Sequence, residues 1–249
     1  MRTSKIDYDE RAARRDLVAA LRSAERLGLA EGVCNHFSLA LPGKTGRFLI
    51  NPQGLHWSEV TPADLVVVDG DGNHVRGKHT VEPTAFFIHG RIHRANARAQ
   101  CVLHTHMPYA TTLTVIADGK LAWASQNALR FHGRVAYDDA YNGLAMSAAE
   151  GDRIASKLRD ADVLFLANHG VIVCGKSVSY AFDDLYYLER ACMLQVLARG
   201  TGSPLRLVPD DIAAQTRAQM DAERQQSELH LAALKRILDR TQPGWSKLN

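Results

Sequence analysis

His104 and His106 stand one residue apart at the end of an apolar run, in the stretch "VLHTHMPYATTLTV" that begins at Val102. In an extended strand, side chains at i and i+2 leave the same face, so the two imidazoles converge on one point. A third histidine, His169, lies far downstream in "DVLFLANHGVIVCG", at an Asn168-His169-Gly170 turn between two apolar strands. An imidazole buried there without a partner would cost free energy. Three neutral ring nitrogens can hold a divalent metal and leave a fourth position open for water or substrate, the pattern of a catalytic site and not of a closed structural one. Such a metal acts as a Lewis acid on a chelating substrate. The competing reading of His-x-His is a strand whose polar face carries two hydrogen-bonded histidines.

His89 and His93 form a rival pair. They stand four apart on a helix and so share a face. Gly90 occupies the place where a His-Glu-x-x-His site needs its glutamate, which speaks against ligation. Packing near the site, or a hydrogen bond across the helix–sheet interface, suits His89 better. His36, His56, His79 and His132 are isolated in sequence and read as loop residues.

The elements that must position these groups alternate along the chain. "DERAARRDLVAALRSAERLG" puts Leu17, Leu21 and Ala24 on one helical stripe that stops near Gly28. Short strands follow at "HFSLAL", "RFLIN" and "LVVVD", with "GDGN" as a hairpin turn before "HVRG". Asp69, Asp71 and Asn73 imitate a calcium loop, but His74 and Thr80 replace its glycine and glutamate, which excludes calcium there. "EPTAFFIHGRIHRANARA" is a helix with Pro83 in its first turn, and "QCVLHTH" is a strand. Ser147 and Glu150 have capping-box spacing at the start of a further helix. "SYAFDDLYYLERACMLQVLARG" is an amphipathic helix ended by Gly200, and a last helix spans 211–239. Interleaved strands and helices predict an α/β sandwich.

Composition narrows the classes. The chain has 249 residues, 46% apolar and 23% charged, which suits one large domain with a substantial core. A net charge of +3 without basic blocks gives no cause to expect nucleic acid. No apolar run approaches membrane-spanning length and no signal-peptide core stands at the N-terminus. Four scattered cysteines without a C-x-x-C pair read as reduced thiols, and hence cytoplasm.

Taken in order, "NHFSLALPGKTGRFLINPQGLHWSEVTPADLVVVD", "FFIHGRIHRANARAQCVLHTHMPYA" and "ANHGVIVCGKSVSYAFDDLYYLERAC" resemble the class II aldolase/adducin family, in its bacterial adducin-head-like branch. The resemblance spans roughly residues 10–200. It implies a three-layer α/β/α sandwich around a mixed, largely antiparallel sheet over 1–208, with 209–249 as a helical tail on the same domain or on a neighbouring subunit. It implies one divalent metal on His104, His106 and His169, zinc first, with manganese, cobalt or iron as alternatives. A homotetramer is expected, with 180–200 and the tail contributing contacts. The implied activity is aldol-type carbon–carbon cleavage of a small hydroxy- or oxo-acid or a related carbonyl compound. Decarboxylation of a hydroxy acid and a non-catalytic adducin-like module are the alternatives.

The departures from the family pattern matter too. The family's acid/base glutamate falls on Ala85 here, so Glu82, one turn earlier, Tyr137 or a metal-bound hydroxide is the expected proton carrier. The family's phosphate-binding segments are altered to Cys34-Asn35, Asn51-Pro52-Gln53-Gly54 and Pro83-Thr84. Asn35, Ser38, Gly54 and Thr84 remain as substrate contacts, and an unphosphorylated acid is favoured over a sugar phosphate.

Overall fold

A computed structural model describes residues 3–41, 43–44 and 46–248, with side chains from residue 9 onward. An eight-stranded sheet forms the middle layer, made of β1 (His36–Ala40), β2 (Arg47–Ile50), β3 (Val66–Asp69), β4 (His74–Arg76), β5 (Cys101–Thr105), β6 (Val135–Asp138), β7 (Val163–Leu166) and β8 (Gly170–Gly175). The strand order is β4-β3-β2-β1-β5-β8-β7-β6. Every described pairing is antiparallel except β6 with β7, so the sheet is mixed and largely antiparallel, as the resemblance implied.

Period-two alternation divides the side chains between the faces. One face carries Phe37, Leu39, Leu103, Phe165, Val171 and Val173 beneath α1 (Thr3–Arg26), α3 (Pro108–Thr114) and α6 (Val178–Arg199), with α8 (Gln226–Thr241) packed on α1 and α6. Leu17, Leu21, Leu185 and Leu188 are fully buried there, each contributing roughly 1.5–3 kcal/mol by leaving water. The other face carries Val102, Leu164 and Ile172 against α2 (Pro83–Ala95) and α5 (Ala148–Leu158). A serine cap starts α5 as the spacing predicts, the Glu150 N–H donating to Ser147 Oγ at 3.2 Å, and a second starts α6, the Tyr180 N–H donating to Ser177 Oγ at 3.4 Å.

Gly200 ends α6 as expected, at φ −61°. Some expectations are corrected. The helix expected over 211–239 is two, α7 (Asp210–Ala222) and α8. The break coincides with side chains that reach back to α6: Arg224 Nη1 donates to Asp184 Oδ1 at 2.6 Å and Ser227 Oγ to Asp183 Oδ2 at 2.8 Å. The helices α3 and α4 (Gln126–Leu129) and the strand β6 carry too weak a periodicity to have been read from sequence. His36 is not a loop residue: it opens β1 and is 5% exposed. The Asp69 loop is an Asx-type turn, with the N–H groups of Asp71 and Asn73 on Asp69 Oδ1.

Candidate metal centre

β5 delivers His104 on the α2 face and His106 just past its own end, keeping the i, i+2 relation. The β7–β8 turn brings His169 to the same place. Asn168 takes φ +55° there, a left-handed conformation asparagine tolerates, and its N–H donates to the Thr114 carbonyl at 2.9 Å. A Cβ on Gly170 would meet the Thr105 carbonyl oxygen at 2.6 Å and His106 Cδ2 at 2.7 Å, so this close approach requires glycine. Beyond His106, α3 begins against a buried carboxylate on α6. The N–H groups of Tyr109 and Ala110 donate to Glu189 at 2.8 Å each. That carboxylate satisfies donors the helix start would otherwise leave orphaned.

The three imidazoles surround one point. Ring centroids are 5.0 Å apart for His104–His106, 4.7 Å for His104–His169 and 4.9 Å for His106–His169. One ring nitrogen from each lies within 4.8 Å of the others, a group able to hold a metal ion. His104 Nδ1 donates to the Val171 carbonyl at 3.0 Å, and His106 Nδ1 meets Glu31 Oε2 at 2.5 Å. These bonds leave the two Nε2 atoms facing each other at 3.2 Å. With both rings neutral, two lone pairs meet at that separation, and a shared cation would relieve their repulsion. The donor set therefore fits a divalent ion, with the carbonyl and the carboxylate orienting the ligands from behind. Burial, then the neighbouring His169, holds His104 well below the usual imidazole range. Burial and His106 bring His169 down to about 4. Both rings are thus unprotonated at neutral pH, as ligation requires.

The remaining sequence-predicted residues are placed as follows. Glu82 and Tyr137 are not among the three groups at the centre. Glu82 precedes α2 and accepts a hydrogen bond from the Thr84 hydroxyl at 2.7 Å. Tyr137 pairs with Phe165 across β6–β7, on the sheet face opposite His104, and burial pushes its hydroxyl up to about 12. Its oxygen accepts the Leu121 N–H at 3.0 Å and it lines a cavity of about 550 Å³ with Lys120, Phe165 and Asn168. None of the three histidines lines that cavity. Asn35, at φ +74° and 3% exposed, accepts the His106 N–H on Oδ1 at 3.3 Å, while its buried Nδ2 has no described partner. Gly54 lies exposed in a loop at φ +80°. Ser38 is fully buried, bonded to His89 and His93. Ala85 is 2% exposed, in an apolar cluster with Phe48, Ile50, Val66 and Val68.

Sequence reasoning missed two groups. Glu31 approaches His106 from 75 positions away, with no local signal. His36 pairs with His104 in the β1–β5 register and its ring stacks there at 4.8 Å. Its i, i+2 relation to Ser38 on a strand was the available clue.

Fold and centre together define a protein able to carry a divalent cation where β5 and the β7–β8 turn meet. The chain belongs to the class II aldolase/adducin family: the profile of the Class II Aldolase and Adducin N-terminal domain matches residues 15–196. A Pseudomonas aeruginosa protein described as an aldolase class 2 protein is 32% identical over 248 residues, covering 97% of this chain and 95% of the relative. Decarboxylase NovR of Streptomyces niveus is 34% identical over 226 residues, covering 88% of this chain and 83% of the relative. The crystal structure of an aldolase II superfamily protein from Pseudomonas syringae superposes with a TM-score of 0.89 at 34% identity, covering 96% of each chain.

Proposed function

We propose that the protein is a metal-dependent carbon–carbon lyase acting on a small hydroxy- or oxo-acid. The reading rests on the convergence of His104, His106 and His169, with His104 Nδ1 on a carbonyl and His106 Nδ1 on a carboxylate. A divalent cation there, zinc first among the candidates, supplies Lewis-acid polarisation of a chelating carbonyl or carboxylate. Asn35 Nδ2, buried and without a described partner, offers a hydrogen-bond donor to a substrate oxygen. Gly54 and Thr84 are proposed as further contacts around the substrate.

Aldol-type cleavage needs a base for the hydroxyl proton and an acid for carbon. Ala85 supplies neither, so in this reading the proton travels through Glu82, with Tyr137, on the sheet face opposite His104, as the less direct alternative. If Glu82 carries it, Glu82→Gln lowers turnover by about two to four decades with metal content unchanged. Decarboxylation is the second reading. It needs only a proton donor to carbon, and Ala85 in its apolar cluster favours it, as does the similarity to a decarboxylase.

A tetramer in the cytoplasm completes the proposal. Leu194 and Leu197 are exposed on α6, within the segment expected to make contacts between subunits. The four cysteines are free thiols, and no described helix is long and apolar enough to cross a membrane. The test is product analysis by NMR of the zinc-loaded protein with a panel of 2-hydroxy- and 2-oxo-acids. Aldehyde release supports aldol cleavage and carbon dioxide release supports decarboxylation. Stoichiometric zinc with neither product from any acid would leave a non-catalytic, adducin-like module.

A further inference from the structure

A line of hydrogen bonds runs from the Ala99 carbonyl across the interface between α2 and β1, and its direction is fixed at the far end. His93 Nδ1 lies 2.8 Å from the Ala99 carbonyl oxygen, which can only accept, so Nδ1 carries the proton and Nε2 is a lone pair. Ser38 Oγ is 2.7 Å from that Nε2 and therefore donates to it. His89 Nδ1, at 2.5 Å from the same oxygen, must donate in turn, which leaves His89 Nε2 bare. His36 Nδ1, 2.8 Å from His89 Nε2, is then the donor of the last bond. One carbonyl thus orders four side chains, and the order ends on His36 with Nε2 unprotonated. No described carboxylate touches any member of the line, so nothing described in it stabilises an imidazolium.

No described group hydrogen-bonds His36 Nε2. The ring lies nearly parallel to His104, at 4.8 Å and 29°, and His36 and His104 are direct partners across β1 and β5. A bare acceptor beside a metal ligand, with its tautomer imposed from four residues away, has no packing role. We infer that His36 is a substrate-positioning residue, whose Nε2 accepts a hydrogen bond from a hydroxyl on the acid held at the three histidines. It would thereby select hydroxy-acids over their ethers. The inference rests on the proposed metal site.

The test pairs two small chelators, glycolate and methoxyacetate, which differ in whether the oxygen beside the carboxylate carries a proton. Titration calorimetry on the zinc-loaded protein should show glycolate binding about tenfold more tightly, the size of one hydrogen bond. His36→Phe keeps a ring against His104 and should erase the preference while retaining zinc. Ser38→Ala cuts the line but keeps His36, and should weaken the preference. In parallel, ¹⁵N NMR of histidine-labelled wild type, assigned by the signal lost in His36→Phe, should show His36 as the Nδ1–H tautomer. An Nε2–H tautomer in wild type, or an unchanged preference in His36→Phe, overturns the inference even where zinc is stoichiometric. Failure to bind zinc at all overturns the metal site and the inference with it, so the two failures are told apart by metal content.

Discussion

Glu31 offers the sharpest test of the centre, because it touches a proposed ligand and not the proposed metal. Its Oε2 lies 2.5 Å from His106 Nδ1, whereas the corresponding nitrogen of His104 is held by a backbone carbonyl that no substitution removes. Partners of this kind fix the tautomer and raise ligand basicity, and their loss costs about 10–100-fold in metal affinity. The Glu31 side chain is 62% exposed, so water both screens its charge and can replace its hydrogen bond. The expected loss for Glu31→Ala therefore sits at the low end, about tenfold or ~1.4 kcal/mol. Glu31→Gln keeps an acceptor without the charge and should lose less, about threefold. Competition for zinc against a chromogenic chelator, in metal-buffered solution near neutral pH, measures both. Circular dichroism should be unchanged, since an exposed loop carboxylate contributes little to stability. If Glu31→Ala holds zinc within about twofold of wild type, the carboxylate does not orient His106, and the argument from ligand orientation fails.

Other outcomes follow from the same geometry. Replacing His104, His106 or His169 singly by alanine should abolish stoichiometric metal, read by elemental analysis, without unfolding the chain; full metal in two of the three variants would remove the assignment. Burial pulls His93 from its ordinary value of 6.5 down to about 4. Because its folded pKa is depressed, His93 contributes stability above pH 6.5 that is lost as pH falls towards 4, on the order of 3 kcal/mol. Urea midpoints of the metal-free protein across that window should fall accordingly, and a flat profile would contradict the burial argument. Ala85→Glu places a carboxylate among Phe48, Ile50, Val66 and Val68. It should destabilise the fold by about 3 kcal/mol or more in denaturant titration, and a neutral result would mean the position opens to solvent or metal. Light scattering at micromolar concentration should give a tetramer, and a monomer would contradict the proposed assembly.

What was legible in the sequence was local. His104 and His106 announce themselves because strand periodicity makes i, i+2 neighbours share a face, and His169 because its turn is bounded by apolar runs. Apart from β6, the strands and the helices α2, α5 and α6 carry hydrophobic spacing that needs no tertiary help, with a proline in the first turn of α2 and serine caps on α5 and α6. α3 was invisible because "PYATTLT" is rich in β-branched threonine, and its N-terminus is satisfied by Glu189 from 80 positions away. His36 shares a strand face with Ser38 in sequence, but its place beside His104 comes from the β1–β5 register. The break between α7 and α8 lacks glycine and proline and coincides with ion pairs to Asp184 on α6. Each of these depends on a pairing that no window of sequence contains.

The way the last helix is held has a consequence for how the molecule is made. Leu231, Leu238 and Trp245 complete the cluster begun by Leu17, Val18 and Leu21. Polar ties run between the same segments, from Arg22 to Gln242, from Arg26 to Thr241 and from Lys235 to Asp16. These contacts join positions more than 200 apart, so during synthesis the α1 face must wait for nearly the whole chain. Closing so long a loop costs entropy before any burial offsets it. The nascent chain therefore carries an unfinished apolar surface until α8 emerges, and that interval is when it is most exposed to aggregation and most in need of a chaperone.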